Sequence, residues 1–172
     1  MDEVRMQESD YPMLEKLEDA FEKKDLAYFK KFLEQSKLMP LLLRVHAVCM
    51  LEHIGNEDVV GVLCRVLKDD PSPLTRHEAA FTLGQLGFRS AVSALIDAML
   101  HDPSPIVRHE SAVALSSIGD YSALPRLERA VKDEDEDVRN SALIAFEYLA
   151  YYKRKQESAA EGPTPVKPKI RL

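Results

Sequence analysis

The chain has 172 residues, 45% hydrophobic and 30% charged, with a formal net charge of −6. That length allows one domain with a real core, and the acidic balance argues against a general nucleic-acid footprint. No apolar run approaches the roughly 18 residues of a membrane span, and no basic-then-apolar leader opens the chain; Cys49 and Cys64, outside any Cys-x-x-Cys spacing, are expected reduced and buried, which fits a cytoplasmic protein.

Residues 1–37 read as an N-terminal helical cap, with helices near 12–23 and 26–36 and Phe21, Leu26, Phe29 and Phe32 as packing candidates. From 38 to 153 the punctuation repeats. Pro40 and Gly55 bracket one helix. Ser72 and Ser104 are placed to cap helices that begin at Pro73 and Pro105 and stop at Gly87 and Gly119. A short polar gap follows each glycine. Then comes a second helix, near 57–68, 90–100 and 122–132, with apolar residues at three- and four-residue spacing, as in Val92, Leu95, Ile96, Met99 and Leu100. A long helix is expected over 137–152. The stretch 154–172, with Pro163, Pro165 and Pro168, reads as a disordered tail.

These helix pairs align in columns. Arg44, Arg76, Arg108 and Arg139 form one; Gly55, Gly87 and Gly119 another; Leu51, Leu83 and Leu115 a third; Ile54, Leu86 and Ile118 a fourth. A lone helix pair cannot bury its apolar face, so stacked neighbours must supply the core. The period of 32 residues is shorter than the usual HEAT unit of about 40 to 47 and fits its compact form. The expected fold is all-α: a short right-handed solenoid of HEAT-like helix pairs. The arginine column, with Asp69 or Asp70, Asp102 and Asp135 or Asp137 upstream, predicts an Asp–Arg ladder between repeats. Ala79, Ala80, Leu83, Ala112, Val113 and Leu115 are expected in the core.

One dipeptide stands out. His77-Glu78 and His109-Glu110 each follow an arginine, and equivalent residues are 32 positions apart. The outer repeats carry Val45-His46 and Asn140-Ser141 there instead, so packing does not require the pair. Helices in contact lie about 8–10 Å apart, within reach of long side chains from adjacent repeats. Neutral imidazole and carboxylate together suit iron, manganese or zinc. Placed in the first helical turn, the carboxylates would also gain from the helix dipole. The bland alternative is a solvated or hydrogen-bonded pair copied by repeat duplication. His53 and His101 fall outside the pattern and read as non-ligands, His101 interacting with its helix C-terminus. Phosphate loops, His-Glu-x-x-His and nucleophile-elbow motifs are missing.

Over roughly 38–150, and especially in Arg-His-Glu-Ala-Ala-Phe-Thr-Leu-Gly-Gln-Leu-Gly at 76–87 and Val-Arg-His-Glu-Ser-Ala-Val-Ala-Leu at 107–115, the chain resembles the deoxyhypusine hydroxylases. The resemblance implies a HEAT-like, non-haem diiron, oxygen-activating hydroxylase or monooxygenase. It makes His77, Glu78, His109 and Glu110 metal ligands, with dioxygen as co-substrate. The family carries four His-Glu pairs, and this sequence carries two. The resemblance therefore implies a homodimer through the His-Glu faces, with two iron ions per dimer and a protein substrate bearing a modified lysine. Bilin lyase HEAT-like proteins share the repeat, but the paired columns favour the hydroxylase branch. The alternative is a non-catalytic HEAT-like interaction scaffold.

Overall fold

The computed structural model describes residues 6–160. Among these residues there are nine α-helices and no strand: α1 Tyr11–Glu22, α2 Leu26–Glu34, α3 Leu41–Ile54, α4 Val60–Asp69, α5 Pro73–Leu86, α6 Val92–His101, α7 Pro105–Ile118, α8 Leu124–Ala130 and α9 Glu136–Ala160. α1, α3, α5, α7 and α9 pack each on the next, and α2, α4, α6 and α8 form the second layer. This is the all-α solenoid of helix pairs that the columns predict.

The boundaries follow from local chemistry. Pro73 and Pro105 occupy first-turn positions, where the missing N–H would have had no helical partner. Gly55, Gly87 and Gly119 end their helices at φ of 69°, 72° and 74°, a region where a Cβ is strained. Ser72 and Ser104 stand at the N-caps, but their side chains do not cap. The carboxylates of Asp70 and Asp102 instead accept hydrogen bonds from the Ser72 and Ser104 N–H groups, each at 2.8 Å. An Asp two residues upstream closes this turn, which leaves the serine hydroxyl redundant.

The arginine column is the lock between repeats. Arg76 donates from Nε and Nη2 to Asp102 at 2.8 and 2.9 Å, and from Nη1 to the Asp70 carbonyl at 2.9 Å. Arg108 repeats the pattern with Asp133 and the Asp102 carbonyl, every distance 2.9 Å. Arg44 pairs with Asp70. Arg139 closes the series on the carbonyls of Asp133 and Glu134, both at 2.9 Å. The third acid is thus Asp133, not Asp135 or Asp137. Asp133 lies six residues before Arg139, the offset that Asp70 keeps from Arg76 and Asp102 from Arg108, so it takes the equivalent place at the head of its turn. Burial, the largest single influence, would raise the Asp133 carboxyl, but the hydrogen bonds from Arg108 and the Asp135 N–H and the charges of Arg108 and Arg139 together outweigh it and hold the group below the usual carboxylate range.

Leu51, Leu83 and Leu115 from one layer meet Leu63, Leu95 and Leu127 from the other in the core, all fully buried. Each contributes about 1.5–3 kcal/mol by leaving water. A Cβ placed on Gly84 would lie 2.8 Å from the Ala114 Cα, so α5 and α7 touch nearly backbone to backbone. Val113 is a correction: it is exposed, as is Phe81, because both lie one turn beyond the His-Glu pairs on the same open face. Cys49 and Cys64 are free and half-buried rather than buried.

α9 runs to Ala160, so residues 154–160 of the expected tail are helical. Lys153 and Glu157 form an i,i+4 ion pair, and Ala159 and Ala160 are strong helix formers; no helix breaker precedes Gly162. The remainder of the expected tail, 161–172, lies outside the described residues.

Removing Arg76 strands a buried carboxylate, whereas removing Arg139 costs hydrogen bonds to carbonyls. Arg76→Ala should lose about 3–5 kcal/mol and Arg139→Ala about 1–2 kcal/mol. Urea unfolding monitored by circular dichroism gives both values, and equal losses would count against the ladder as the main lock.

Candidate metal centre

α5 and α7 each present one open face at helical spacing: Leu74, His77, Glu78 and Phe81 on α5, and Ile106, His109, Glu110 and Val113 on α7. The i, i+3, i+4 and i+7 spacing makes these residues neighbours. The pairs lie in the second helical turn, not the first, because Pro73 and Pro105 open the helices four residues earlier. The dipole contribution there has largely faded.

The close approach at Gly84 and Ala114 brings α5 and α7 within side-chain reach. His77 Nε2 stands 3.3 Å from Glu110 Oε2. Glu110 is buried, with 8% of its surface exposed, although it sits on the open face. His77 Nδ1 is buried without a hydrogen-bond partner, so Nε2 is the engaged ring atom. The other two candidates are held by the outer repeats. Glu78 Oε1 accepts from the Cys49 thiol at 3.3 Å, and His109 Nδ1 is 2.6 Å from Ser141 Oγ. The structure therefore brings His77 and Glu110 together directly and anchors Glu78 and His109 through α3 and α9. Among the described residues, no three His, Cys, Asp or Glu side chains converge into a metal-holding group.

Charge and burial shape these groups. The hydrogen bond to Glu110 raises the His77 pKa above its ordinary value; burial opposes this, and the charges of Glu110 and Glu78 assist it. Burial, then the hydrogen bond and charge of Glu78, push the Cys49 thiol up to about 11. It stays protonated at neutral pH and can donate to Glu78.

Cys49 and Ser141 were not among the sequence candidates. Their signal was the register itself. Ser141 occupies the column of Glu78 and Glu110, and Cys49 that of Phe81 and Val113. His53 sits apart, with Nδ1 3.0 Å from the Cys49 carbonyl and its ring edge-on to Phe21. His101, at the end of α6, pairs with Asp97 at 3.0 Å in the second layer.

The stacked helix pairs, the arginine ladder and the glycine stops define an α-solenoid of HEAT repeats. The family of HEAT repeats matches residues 60–147, just over half of the chain, and the chain belongs to it. Within that family it is deoxyhypusine hydroxylase-like. It is 47% identical over 47 residues to the deoxyhypusine hydroxylase of Cryptococcus neoformans var. neoformans serotype D, covering 27% of this chain and 13% of that protein. It is 46% identical over 55 residues to that of Dictyostelium discoideum, covering 32% and 17%. The structure of human deoxyhypusine hydroxylase in complex with glycerol superposes with a TM-score of 0.68 at 31% identity, covering 74% of this chain and 44% of that one. The chain thus spans under half the length of the solved relative.

The donor set fits a transition metal. Two donors bound to one ion at about 2.0–2.2 Å stand roughly 3 Å apart, close to the His77–Glu110 separation of 3.3 Å. His109 has Nε2 to offer, since Nδ1 is occupied, and Glu78 has Oε2.

Because its folded pKa is raised, the His77–Glu110 contact stabilises the metal-free chain below about pH 6.5, and that stabilisation is lost as pH rises through the folded value. Glu110→Gln should move the His77 midpoint down toward the ordinary value in a proton NMR titration of metal-free protein. An unmoved midpoint would show that Glu110 is not the cause.

Proposed function

We propose that this chain is a non-haem diiron hydroxylase whose metal centre is shared between two copies, with His77, Glu78, His109 and Glu110 as ligands. The observation that carries the reading is the contact between His77 and Glu110, which joins the two His-Glu motifs across a repeat boundary. The likeness to proteins named deoxyhypusine hydroxylase supports the same reaction class.

One chain supplies two imidazoles and two carboxylates on an open face. A dinuclear centre needs more donors, and a two-fold axis through facing copies doubles the set. The face suits such a partner. Leu42, Leu74 and Ile106 flank the candidate ligands on one side, and Phe81, Val113 and Ile144 on the other, all exposed. Contiguous exposed apolar residues of this kind mark interaction surfaces. Closing two copies over them would exclude water from the polar centre between.

Iron bound there would supply activation of dioxygen for hydroxylation. The chain's own groups do the rest. His77 and His109 offer neutral nitrogen donors, and Glu78 and Glu110 offset the metal charge. The substrate we propose is a protein side chain derived from lysine, as in deoxyhypusine. A cavity of about 320 Å³, lined by Met6, Leu14, Leu42, Val45, His46 and Cys49 among others, reaches Glu78 through Cys49. Its apolar wall suits the aliphatic part of such an arm, and the net charge of −6 favours its cationic end.

Protein purified without chelators should contain iron at about one ion per chain, consistent with a two-metal centre per dimer, and should sediment as a dimer at micromolar concentration. His77→Ala and Glu110→Ala should each lower the iron content while leaving the helical spectrum intact, and Arg139→Ala should leave the stoichiometry unchanged. Full metal occupancy in both ligand variants would sink the assignment, and a monomer holding two irons would sink the shared centre. Protein that resists metal reconstitution altogether would return the exposed apolar face to a non-catalytic interaction scaffold.

A further inference from the structure

We infer that Ser141 and Cys49 are positioning residues that aim the two outer candidate ligands, His109 and Glu78, toward the centre. The inference rests on the ligand reading above and names what orients those ligands.

A neutral imidazole has one donor and one acceptor nitrogen. For His109 to offer Nε2 to a metal, Nδ1 must carry the proton. In that tautomer Ser141 Oγ, 2.6 Å from Nδ1, is the acceptor in reach. Metal-binding histidines are commonly fixed in this way by a second hydrogen bond from the other ring nitrogen. Ser141 is set by packed structure: Val138, Ala142 and Ala145 on the same helix are buried, and α9 lies directly against α7.

Cys49 serves the other end. Val48 and Met50 beside it are buried in the core, and its thiol donates to Glu78 Oε1 at 3.3 Å. A thiol is a weak, uncharged donor. It orients the carboxylate without neutralising it, as a lysine or arginine there would, so the negative charge remains for a cation.

The register argues against coincidence. His77 on α5 reaches the Glu column of α7, and His109 on α7 reaches the same column of α9, where Ser141 stands. On α3 the His column holds Val45, which has no donor, and the residue one turn later, Cys49, reaches Glu78. Both outer repeats lack the His-Glu pair, and each contributes one neutral polar group to it.

The test uses the full chain, ferrous ion added anaerobically against a competing chelator, and ¹⁵N spectra of the metal-free histidine rings. Ser141→Ala should weaken ferrous binding roughly 10- to 100-fold and convert His109 from a predominant Nδ1–H tautomer to a mixture, with the metal-free melting temperature unchanged. Ser141→Thr should restore both. Cys49→Ala should weaken binding, and Cys49→Ser, which keeps a donor, should recover it. Ser141→Ala with parental ferrous affinity and an unchanged tautomer population would overturn the role of Ser141; Cys49→Ala with parental affinity would overturn that of Cys49. If the parent chain takes up no ferrous ion, the ligand reading fails and the role of Cys49 falls with it, while the tautomer measurement in metal-free protein still decides whether Ser141 orients His109.

Discussion

The buried guanidinium–carboxylate ladder is the constraint on which the rest of this structure depends. Arg76 ties three segments at once: its own helix, the turn that opens that helix through the Asp70 carbonyl, and the turn that opens the next helix through Asp102. Asp102 in turn closes the backbone turn at Ser104. One side chain therefore fixes where α5 begins, where α7 begins and how the two stand in register. Paired, fully hydrogen-bonded charges tolerate burial, whereas a single stranded partner would not. His77 and His109 directly follow the ladder arginines. Residues adjacent on a helix point about 100° apart, so the arginine enters the turn layer while the histidine emerges on the open face. The lock thereby sets the position of the candidate ligands with no contact to them.

The second constraint is how near the two motif-bearing helices come. Gly84 against Ala114 removes the side-chain layer that normally separates packed helices. The equivalent of Gly84 on α3 is Glu52 and on α7 is Ser116, so this lack of a side chain belongs to the α5–α7 junction alone among these three helices. It coincides with the one direct contact between candidate ligands, His77 to Glu110. A solenoid built on nearest-neighbour interfaces can tighten one step without altering the others.

Much of the fold was legible in the sequence because its signals are local and repeated. Proline starts, glycine stops and the 32-residue columns depend on backbone geometry that each repeat specifies for itself, so α3 to α8 fall close to where they are expected. The ladder was legible as a column of arginines, but its third acid was misread. Asp133, Asp135 and Asp137 are chemically alike, and what singles out Asp133 is the six-residue offset to the following arginine that Asp70 and Asp102 also keep. Val113 was misplaced because an apolar residue inside a repeat resembles core. Its exposure follows from sharing the open face with Ile106, which is exposed as well. Of the candidate site, the identity of the two pairs was visible but their pairing was not. Whether His77 meets Glu78 or Glu110 depends on the inter-helix distance, which no local pattern encodes. Ser141 was hidden because a column that changes from charged to neutral looks like the loss of a motif, and Cys49 because it stands in the apolar column of Phe81 and Val113.

That change at the ends has a physical logic of its own. A solenoid that repeated His-Glu at every step would carry an unbroken row of carboxylates and imidazoles along its open face. Like charges at neighbouring positions repel and shift one another's protonation, and no point along such a row would be distinguished as a centre. Here the row is bounded. Ser141 takes the place of a third carboxylate beside His109, and Cys49, one turn beyond Val45, stands in for a further imidazole beside Glu78. Both replacements are uncharged and keep the hydrogen bond. They leave two histidines and two glutamates in a short central segment, flanked by exposed Leu, Ile, Phe and Val side chains. Polar groups of fixed number inside an apolar border are the arrangement that a covered, low-dielectric site requires. The repeat supplies the spacing, and its departures from perfect repetition set where the site ends.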